Sequence, residues 1–526
     1  MAQVATGHAG GAESGDGPGG TGLRGVARGG LLNLVGAVVS TLLNVLIVVA
    51  VTRGFSQAEA GVFFSATSVF LIVLAAANLG TSTGLVYFIS GFRARRATGL
   101  IPRLLRVSLT PVAVVSALVA AAMYAWADPL AGALVTGDSD TAHTADYVRM
   151  LALFIPFAVI SEAALAGTRG FRDMRATVLL DKIGRPTGQV VLLAAVALGG
   201  SAGLLAVAWA GPYLPVAVLA GWWLWRLTRR AVRAPQPAGG TGPEPSADAR
   251  TVWGFTAPRS IANIAQMGIQ RLGIVLVAAL EGAPQAALFT AATRFVVVGQ
   301  FGQQAIGTAV QPRLAEQLAV GERAAAKRLY QVSTAWLVLV TWPLYWLSIV
   351  FAPLALSLFG EGYQEGKSAM VLMSAAMLLA SGCGIVDAVL TMAGRTGWNL
   401  ANNLAALAVS AGLSLLLIPT YGGLGAAIGW AAAIAVRNLL PLFQLARHLR
   451  LHPFSAASGV ACALSTVWFG VLPFAVRAAA GDGLLAAAGA VLAGGAGTAA
   501  SLWYFRRTLH LDEFPLPPAL ARRFGG

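Results

Sequence analysis

The sequence is short of the residues on which most enzymes and secreted domains depend. Its 526 residues include only two cysteines and five histidines, and charged residues make up 11% of the chain. Such a low cysteine count excludes a disulfide framework, and no histidine or cysteine cluster has the spacing of a metal site. A phosphate-binding loop and a nucleophile–base pair are missing as well. The sequence therefore predicts neither an enzyme nor a bound metal or cofactor.

The sequence contains long apolar stretches with few of the charged residues that a soluble protein would carry. Apolar residues account for 57% of the chain, and its mean hydropathy is +0.72. A helix needs about 20 apolar residues to cross the hydrocarbon core of a bilayer. Fourteen stretches are of this kind, at residues 29–52, 60–90, 104–127, 147–168, 176–199, 203–226, 252–280, 285–310, 330–352, 367–393, 398–418, 423–446, 455–478 and 484–505. The predicted fold class is an all-α integral membrane protein with about fourteen transmembrane helices.

Positive charge is concentrated on one side of these stretches. With the N-terminus placed inside, most of the 36 Lys and Arg residues fall in segments predicted to be cytoplasmic. The predicted exterior ends hold only Arg53, Lys367 and Arg477. Cytoplasmic loops of membrane proteins carry such an excess of cations. The pattern predicts a multi-pass protein with both termini in the cytoplasm, and it explains the net charge without a nucleic-acid partner.

Two pairs of segments indicate an internal duplication. AGVFFSAT at 60–67 matches AALFTAAT at 286–293, and SEAALAGTRGF, which contains Glu162, matches VDAVLTMAGRT, which contains Asp387. The shared order and offset of the two matches favour a parallel repeat. The predicted units are a disordered tail at 1–22, an N-lobe of six helices at 23–228, a Pro- and Gly-rich cytoplasmic linker at 229–250, a C-lobe of six helices at 251–450, two extra helices at 451–508 and a cytoplasmic tail at 509–526.

Two segments of the chain resemble a known superfamily of transporters. GFSQAEAGVFFSATSVF after the first helix, and the long segment at 358–433 that ends in IPTYGGLGAAIGWAAA, are similar to the multidrug/oligosaccharidyl-lipid/polysaccharide (MOP) exporter superfamily. The greatest similarity is to bacterial flippases of lipid-linked oligosaccharides. The resemblance covers about residues 25–450. It implies two six-helix lobes around a central cavity that opens alternately to each side of the membrane.

Amide side chains follow one face of several predicted helices. In the seventh helix, Arg259, Asn263, Gln266 and Gln270 are spaced 4, 3 and 4 residues apart, which places them on one side of a 3.6-residue helix. Such a stripe is costly against lipid, so we expect it to face a wet cavity. Hydrogen bonds between helices are the alternative. The predicted cavity-lining residues are Asn33, Ser40, Asn44, Asn263, Gln266, Gln270, Gln300 and Gln304.

Several arginines lie within or at the edge of the apolar stretches, with no acid three or four residues away on the same helix. A charge at the bilayer centre costs at least ~2.5–3.5 kcal/mol, so each requires an explanation. Guanidinium groups bind phosphate oxygens in pairs, which suits a pyrophosphate. The predicted pyrophosphate ligands are Arg28, Arg259, Arg271, Arg294 and Arg437. Structural ion pairs with Glu162, Asp181 or Asp387 are the alternative.

Two membrane carboxylates, Glu162 and Asp387, occupy matching places in the proposed repeats. A carboxyl in this setting can exchange a proton or ligate Na⁺ as the cavity changes sides. Both residues are therefore predicted to couple transport to H⁺ or Na⁺. The alternative is that each serves as the counter-ion of a cavity arginine.

These features together predict a flippase of the bacterial inner membrane. Its predicted cargo is a polyprenyl-pyrophosphate-linked oligosaccharide for surface polysaccharide, with a polysaccharide polymerase as a further partner besides the lipid bilayer. Three alternatives stay open: a lipid II flippase of peptidoglycan synthesis, a drug or organic-cation antiporter of the same superfamily, and a non-transporting scaffold of a polysaccharide-assembly complex.

Overall fold

The protein is built from helices throughout the residues that its computed structural model describes, which are 18–134, 138–200, 202–233 and 247–509. Residues 18–35 are described by their backbone alone. The α-helices are α1 Pro18–Gly54, α2 Gln57–Ala77, α3 Thr81–Ala94, α4 Ile101–Ala125, α5 Ala127–Leu134, α6 Asp138–Gly170, α7 Arg185–Gly199, α8 Leu205–Ala210, α9 Tyr213–Arg233, α10 Ala249–Glu281, α11 Ala283–Ala319, α12 Arg323–Val350, α13 Ala352–Ser357, α14 Lys367–Gly382, α15 Val386–Met392, α16 Thr396–Tyr421, α17 Gly423–Gln444, α18 Ala456–Thr466, α19 Leu472–Ala480 and α20 Leu484–Tyr504. Shorter helical turns cover Thr98–Leu100, Thr177–Gly184, Ala202–Leu204, Tyr363–Gly366, Leu445–Leu449 and Val467–Val471.

Twelve helical segments in the described part of the chain are long and apolar enough to cross a membrane. The all-α membrane fold class is thereby confirmed, whereas the exact count of fourteen spans is not. Two predicted spans are absent from the twelve, those at 176–199 and 285–310. Both carry charged and amide side chains, which lower their hydropathy.

Several boundaries differ from those predicted. The first helix, α1, begins at Pro18, inside the segment assigned to a disordered tail. The predicted exterior loop at 128–146 is largely helical, because α5 and the start of α6 run through it. Residues 1–17, 234–246 and 510–526, which hold most of the predicted tails and linker, lie outside the described residues. The division into lobes stays a prediction.

Two predicted membrane helices are broken near their middle. The second predicted helix is split between α2 and α3, where Leu79 and Gly80 have φ angles of 51° and 72°. The tenth is split between α14 and α15, where Gly384 has a φ of 76°. Left-handed backbone of this kind ends a helix, and glycine adopts it without steric cost. Asn78 at the first break donates a hydrogen bond to Glu162, and Gly384 at the second lies three residues before Asp387, so each break lies close to a candidate functional carboxylate.

The N-terminal helices α1–α9 meet the C-terminal helices α10–α17 mainly through α2, which packs against both α10 and α11. Small residues form this contact, since Ala286 and Ala287 are fully buried and a Cβ on Gly61 would overlap the backbone of Ala283. Small side chains let membrane helices approach closely, which strengthens the dispersion contacts between them. These contacts matter because the hydrophobic effect does not drive helices together within lipid. Ser56 and Glu59 start α2 with a reciprocal capping box.

Contacts between the two sets of helices continue at both ends of the molecule. At the end predicted to face the exterior, Arg53 donates hydrogen bonds to the carbonyls of Ser357 and Leu358, at 2.9 Å each. At the opposite end, the rings of Tyr87 and Phe255 stack with centroids 4.4 Å apart. Between these contacts, in the middle of the molecule, lies a polar space.

Candidate functional site

The polar space consists of three adjoining chambers: two lie between the N-terminal helices and the C-terminal helices, and the third is lined by α10, α11, the α14–α15 segment and α17. Two chambers of about 170 and 210 Å³ share Asn44, Arg271 and Arg294 as wall residues, and we call them together the arginine chamber. A larger chamber of about 530 Å³ shares Gln270 and Gln300 with it, and we call it the amide chamber.

Arg271 on α10 and Arg294 on α11 lie near the mid-depth of the molecule. Each is about ten residues from the predicted exterior end of its helix, a distance of about 15 Å. Arg294 Nε donates to the carbonyl of Thr290 at 3.2 Å, while Arg271 Nε is buried without an acceptor. No described carboxylate forms an ion pair with either residue. The chamber therefore holds two uncompensated positive charges.

A third arginine, Arg185 at the start of α7, also lines the arginine chamber. Its guanidinium binds Asp181 at 2.9 Å and donates to the Tyr213 hydroxyl at 3.2 Å. One turn further on, Gln189 lines the same chamber and donates to the carbonyl of Trp209. Neither Arg185 nor Gln189 is among the predicted site residues; for Arg185, the acid four residues before it indicates a satisfied ion pair. The four-residue spacing of Asp181, Arg185 and Gln189 is the sequence pattern that indicates a shared polar face.

Helix α1 contributes Asn44, which lines both parts of the arginine chamber. Its amide donates to the carbonyl of Ser40 at 2.7 Å, so the two predicted residues are neighbours on one face. The side chains of Arg28 and Asn33 lie outside the described residues.

The predicted stripe on α10 is exposed along its whole length. Gln266 and Gln270 line the amide chamber, whereas Arg259 and Asn263 line none of the three chambers. Arg259 instead lies over the ring of Phe255, 5.8 Å from its centroid. The stripe therefore reaches the cavity with its second half only.

The amide chamber is lined mainly by glutamines from two helices. Residues from α10 are Gln266 and Gln270, and α11 supplies four more, Gln300, Gln303, Gln304 and Gln311. Gln311 was missed by sequence reasoning, although it continues the spacing of the α11 face by seven residues from Gln304.

The two matching carboxylates differ in their partners. Asp387 accepts hydrogen bonds from Nε and Nη2 of Arg437, at 3.2 and 2.9 Å. This ion pair is the alternative that the sequence left open for that arginine. Glu162 accepts one hydrogen bond, from Asn78 at the α2–α3 break at 2.8 Å, and no described cation pairs with it. Its side chain is exposed, so it can reach water or an ion.

Fold comparisons place this arrangement in a known architecture. No protein-family model and no curated protein matches the chain. A lipid II flippase in an inward closed conformation is similar over 92% of this chain and 100% of its own, with a TM-score of 0.66 and 10% identity. An inward-facing multidrug resistance transporter of the MATE family and MOP superfamily is similar over 78% of this chain and 96% of its own, with a TM-score of 0.60 and 16% identity.

A third solved structure, a MOP superfamily transporter from Pyrococcus furiosus, is similar over 80% of this chain and 96% of its own, with a TM-score of 0.53 and 17% identity. The protein is thus a multi-pass helical membrane protein with an internal polar cavity. Its fold is that of the MOP-superfamily transporters, which confirms the resemblance at the level of fold. Fold alone assigns no substrate, so function must be argued from the cavity.

Proposed function

We propose that the protein is a flippase that moves a polyprenyl-pyrophosphate-linked oligosaccharide from the cytoplasmic to the outer leaflet by alternating access. The observation that supports this proposal most directly is the arginine chamber. Arg271 and Arg294 project into it without an acidic partner, and Arg185 completes its wall. An anionic group entering the chamber would relieve the repulsion among these guanidinium groups and give them acceptors.

Pyrophosphate suits this chamber better than a singly charged group. Arginine forms bidentate hydrogen bonds with phosphate oxygens, and two arginines on neighbouring helices can each bind one phosphate. Arg271 has a buried N–H without an acceptor, which costs roughly 1–3 kcal/mol until one arrives. The polyprenyl chain would remain in lipid through a gap between the two sets of helices.

Glu162 is the proposed coupling residue. Its carboxylate is exposed and has a single hydrogen-bond donor, so protonation or Na⁺ binding breaks no ion pair. Asp387 is a weaker candidate, because protonating it would leave Arg437 without a counter-ion. An ion gradient would then drive transport in the proposed direction. Consumption of the transported lipid outside the cell would assist this transport.

A lipid II flippase is the second candidate, and the solved flippase that matches 92% of this chain favours it. Both cargoes are lipid-linked glycans on a pyrophosphate, so the arginine chamber suits either. A drug or organic-cation antiporter fits less well, because the chamber's uncompensated charge is positive.

Transport by purified protein in liposomes tests the proposal. The probe is a fluorescent polyprenyl-pyrophosphate-linked trisaccharide, and the variant is Arg271→Gln with Arg294→Gln. We expect transport to fall on the order of 100-fold, because each charged hydrogen bond is worth about 1.5–3 kcal/mol. The control is Arg226→Gln, which removes an exposed arginine stacked on Trp222.

Unchanged transport by the double variant would refute pyrophosphate binding in this chamber. A scaffold predicts a different cellular result: cells with Arg271→Glu would still make surface polysaccharide, whereas the flippase requires its loss.

A further inference from the structure

The amide chamber contains side chains whose hydrogen-bonding groups are unused. Its walls come from α10, α11, the α14–α15 segment and α17. Gln266, Gln270, Gln300 and Gln303 make no side-chain hydrogen bond to any described residue. Four such amides on facing helices cannot be explained as links between helices, because they do not bond each other.

Amides match sugar hydroxyls chemically. Each glutamine side chain offers two N–H donors and a carbonyl acceptor with two lone pairs. A hydroxyl is both donor and acceptor, so a ring of glutamines can bind a sugar in several orientations without a charge on either partner. A chamber of about 530 Å³ also falls in the size range of pockets that enclose small ligands.

The charges in this chamber cancel. Asp387 and Arg437 are its charged wall residues among those described, and they form an ion pair at 2.9 Å. A carboxylate or phosphate on the glycan would enter without a free cation to balance it, and burying an unpaired charge is costly. The adjoining arginine chamber has the opposite character, since Arg271 and Arg294 have no acidic partner there.

We infer that the amide chamber receives the glycan part of the cargo and selects uncharged sugars, while the pyrophosphate occupies the arginine chamber. This inference rests on the proposed function and extends it to the class of glycan. Gln270 and Gln300 line both chambers, so the first sugar after the pyrophosphate would contact them.

Two synthetic probes test the inference in liposomes. Both carry the same polyprenyl pyrophosphate; one bears a neutral trisaccharide, and the other has a hexuronate in place of the terminal hexose. We expect wild-type protein to transport the neutral probe about tenfold faster or more, because an uncompensated buried charge opposes entry. Gln266→Lys supplies a cation and is expected to shift the ratio toward the hexuronate by about tenfold.

The matched control is Gln364→Lys, which adds the same charge at an exposed position of the Tyr363–Gly366 turn, outside the chamber, and should leave the ratio unchanged. Equal transport of both probes by wild-type protein, or an unchanged ratio in Gln266→Lys, would overturn the inference and leave the proposed function intact. Failure to transport either probe would instead refute the proposed function.

Discussion

The N-terminal and C-terminal walls of the cavity differ in the polar groups that they carry. On the N-terminal wall, Arg185 is held by Asp181 and Tyr213, and Glu162 lies nearby with a single amide donor. On the C-terminal wall, glutamines are the commonest polar residues and Asp387 forms an ion pair with Arg437. The N-terminal helices therefore keep the Glu162 carboxylate outside any ion pair among the described residues, whereas the C-terminal helices pair Asp387 with Arg437 and leave the positive charges of Arg271 and Arg294 uncompensated.

Glu162 and Asp387 differ in their hydrogen-bond and ion-pair partners. The two residues occupy matching positions in the proposed repeat, yet only Asp387 has an arginine partner. In the proposed transport cycle, the two proposed repeats would differ in role, because Glu162 would bind the coupling ion while Asp387 stays paired with Arg437.

Glu162→Gln should abolish the stimulation of transport by an imposed pH or Na⁺ gradient, with a loss of more than about tenfold. The amide keeps the size of the side chain but cannot exchange a proton. Transport of the lipid-linked probe is measured with and without each gradient. Asp387→Asn is the matched control and should retain gradient dependence. If Asp387→Asn loses gradient dependence and Glu162→Gln retains it, the coupling residue is Asp387.

Gly61→Ala should open the contact between α2 and α11, because the added Cβ overlaps the backbone of Ala283. We expect transport to fall about tenfold, since one side of the alternating cycle becomes disfavoured. Labelling of Gln270→Cys by an impermeant thiol reagent from outside should rise, in a background with Cys383 and Cys462 changed to Ser.

The control for this variant is Gly91→Ala on α3, where nothing lies within 4 Å of an added Cβ. Equal labelling of Gln270→Cys with and without Gly61→Ala would show that the contact between α2 and α11 does not limit access to the cavity from outside.

Arg437→Gln should lower stability by roughly 1–3 kcal/mol, because it leaves a half-buried Asp387 unpaired. Adding Asp387→Asn should restore most of the loss, since the pair then becomes two neutral amides. Denaturation midpoints in detergent measure both. Glu162→Gln breaks no ion pair and should shift the midpoint least; a larger shift there would contradict the partner assignment.

Tyr213→Phe should have the smallest effect, a two- to fivefold loss of transport. It removes the hydroxyl that accepts from Arg185, a bond worth about 0.5–1.5 kcal/mol, but keeps the ring under the guanidinium. Tyr345→Phe is the matched control, because that buried hydroxyl has no partner. Equal losses in the two variants would show that the Arg185 bond is not used in transport.

Much of the cavity could be predicted from spacing alone. The depths of Arg271 and Arg294 followed from counting residues to the helix ends, and the four-residue period of α10 indicated its polar face. These features are local, since one helix and the bilayer thickness determine them. The same reasoning extended the stripe to Arg259 and Asn263, which line none of the chambers, because periodicity carries no information about where a cavity ends.

Features that depend on two distant segments were not predictable. Asp387 and Arg437 are 50 residues apart, so their pairing is a product of packing between α15 and α17. The break at Gly384 depends on Tyr330 and Thr334 of a neighbouring helix, which leave no room for a Cβ. The predicted helix there was continuous because its hydropathy is continuous. The spacing of Asp181 and Arg185 predicts a satisfied ion pair, yet a paired arginine can still line a cavity.

Binding of a prenyl pyrophosphate without any glycan is the most direct test of the central claim. The affinity of purified protein for farnesyl pyrophosphate is compared between wild type, Arg226→Gln and the variant with both Arg271→Gln and Arg294→Gln. The account predicts equal affinity for the first two and binding at least about 100-fold weaker for the third. Undiminished binding by the double variant would show that the arginine chamber does not hold the anion.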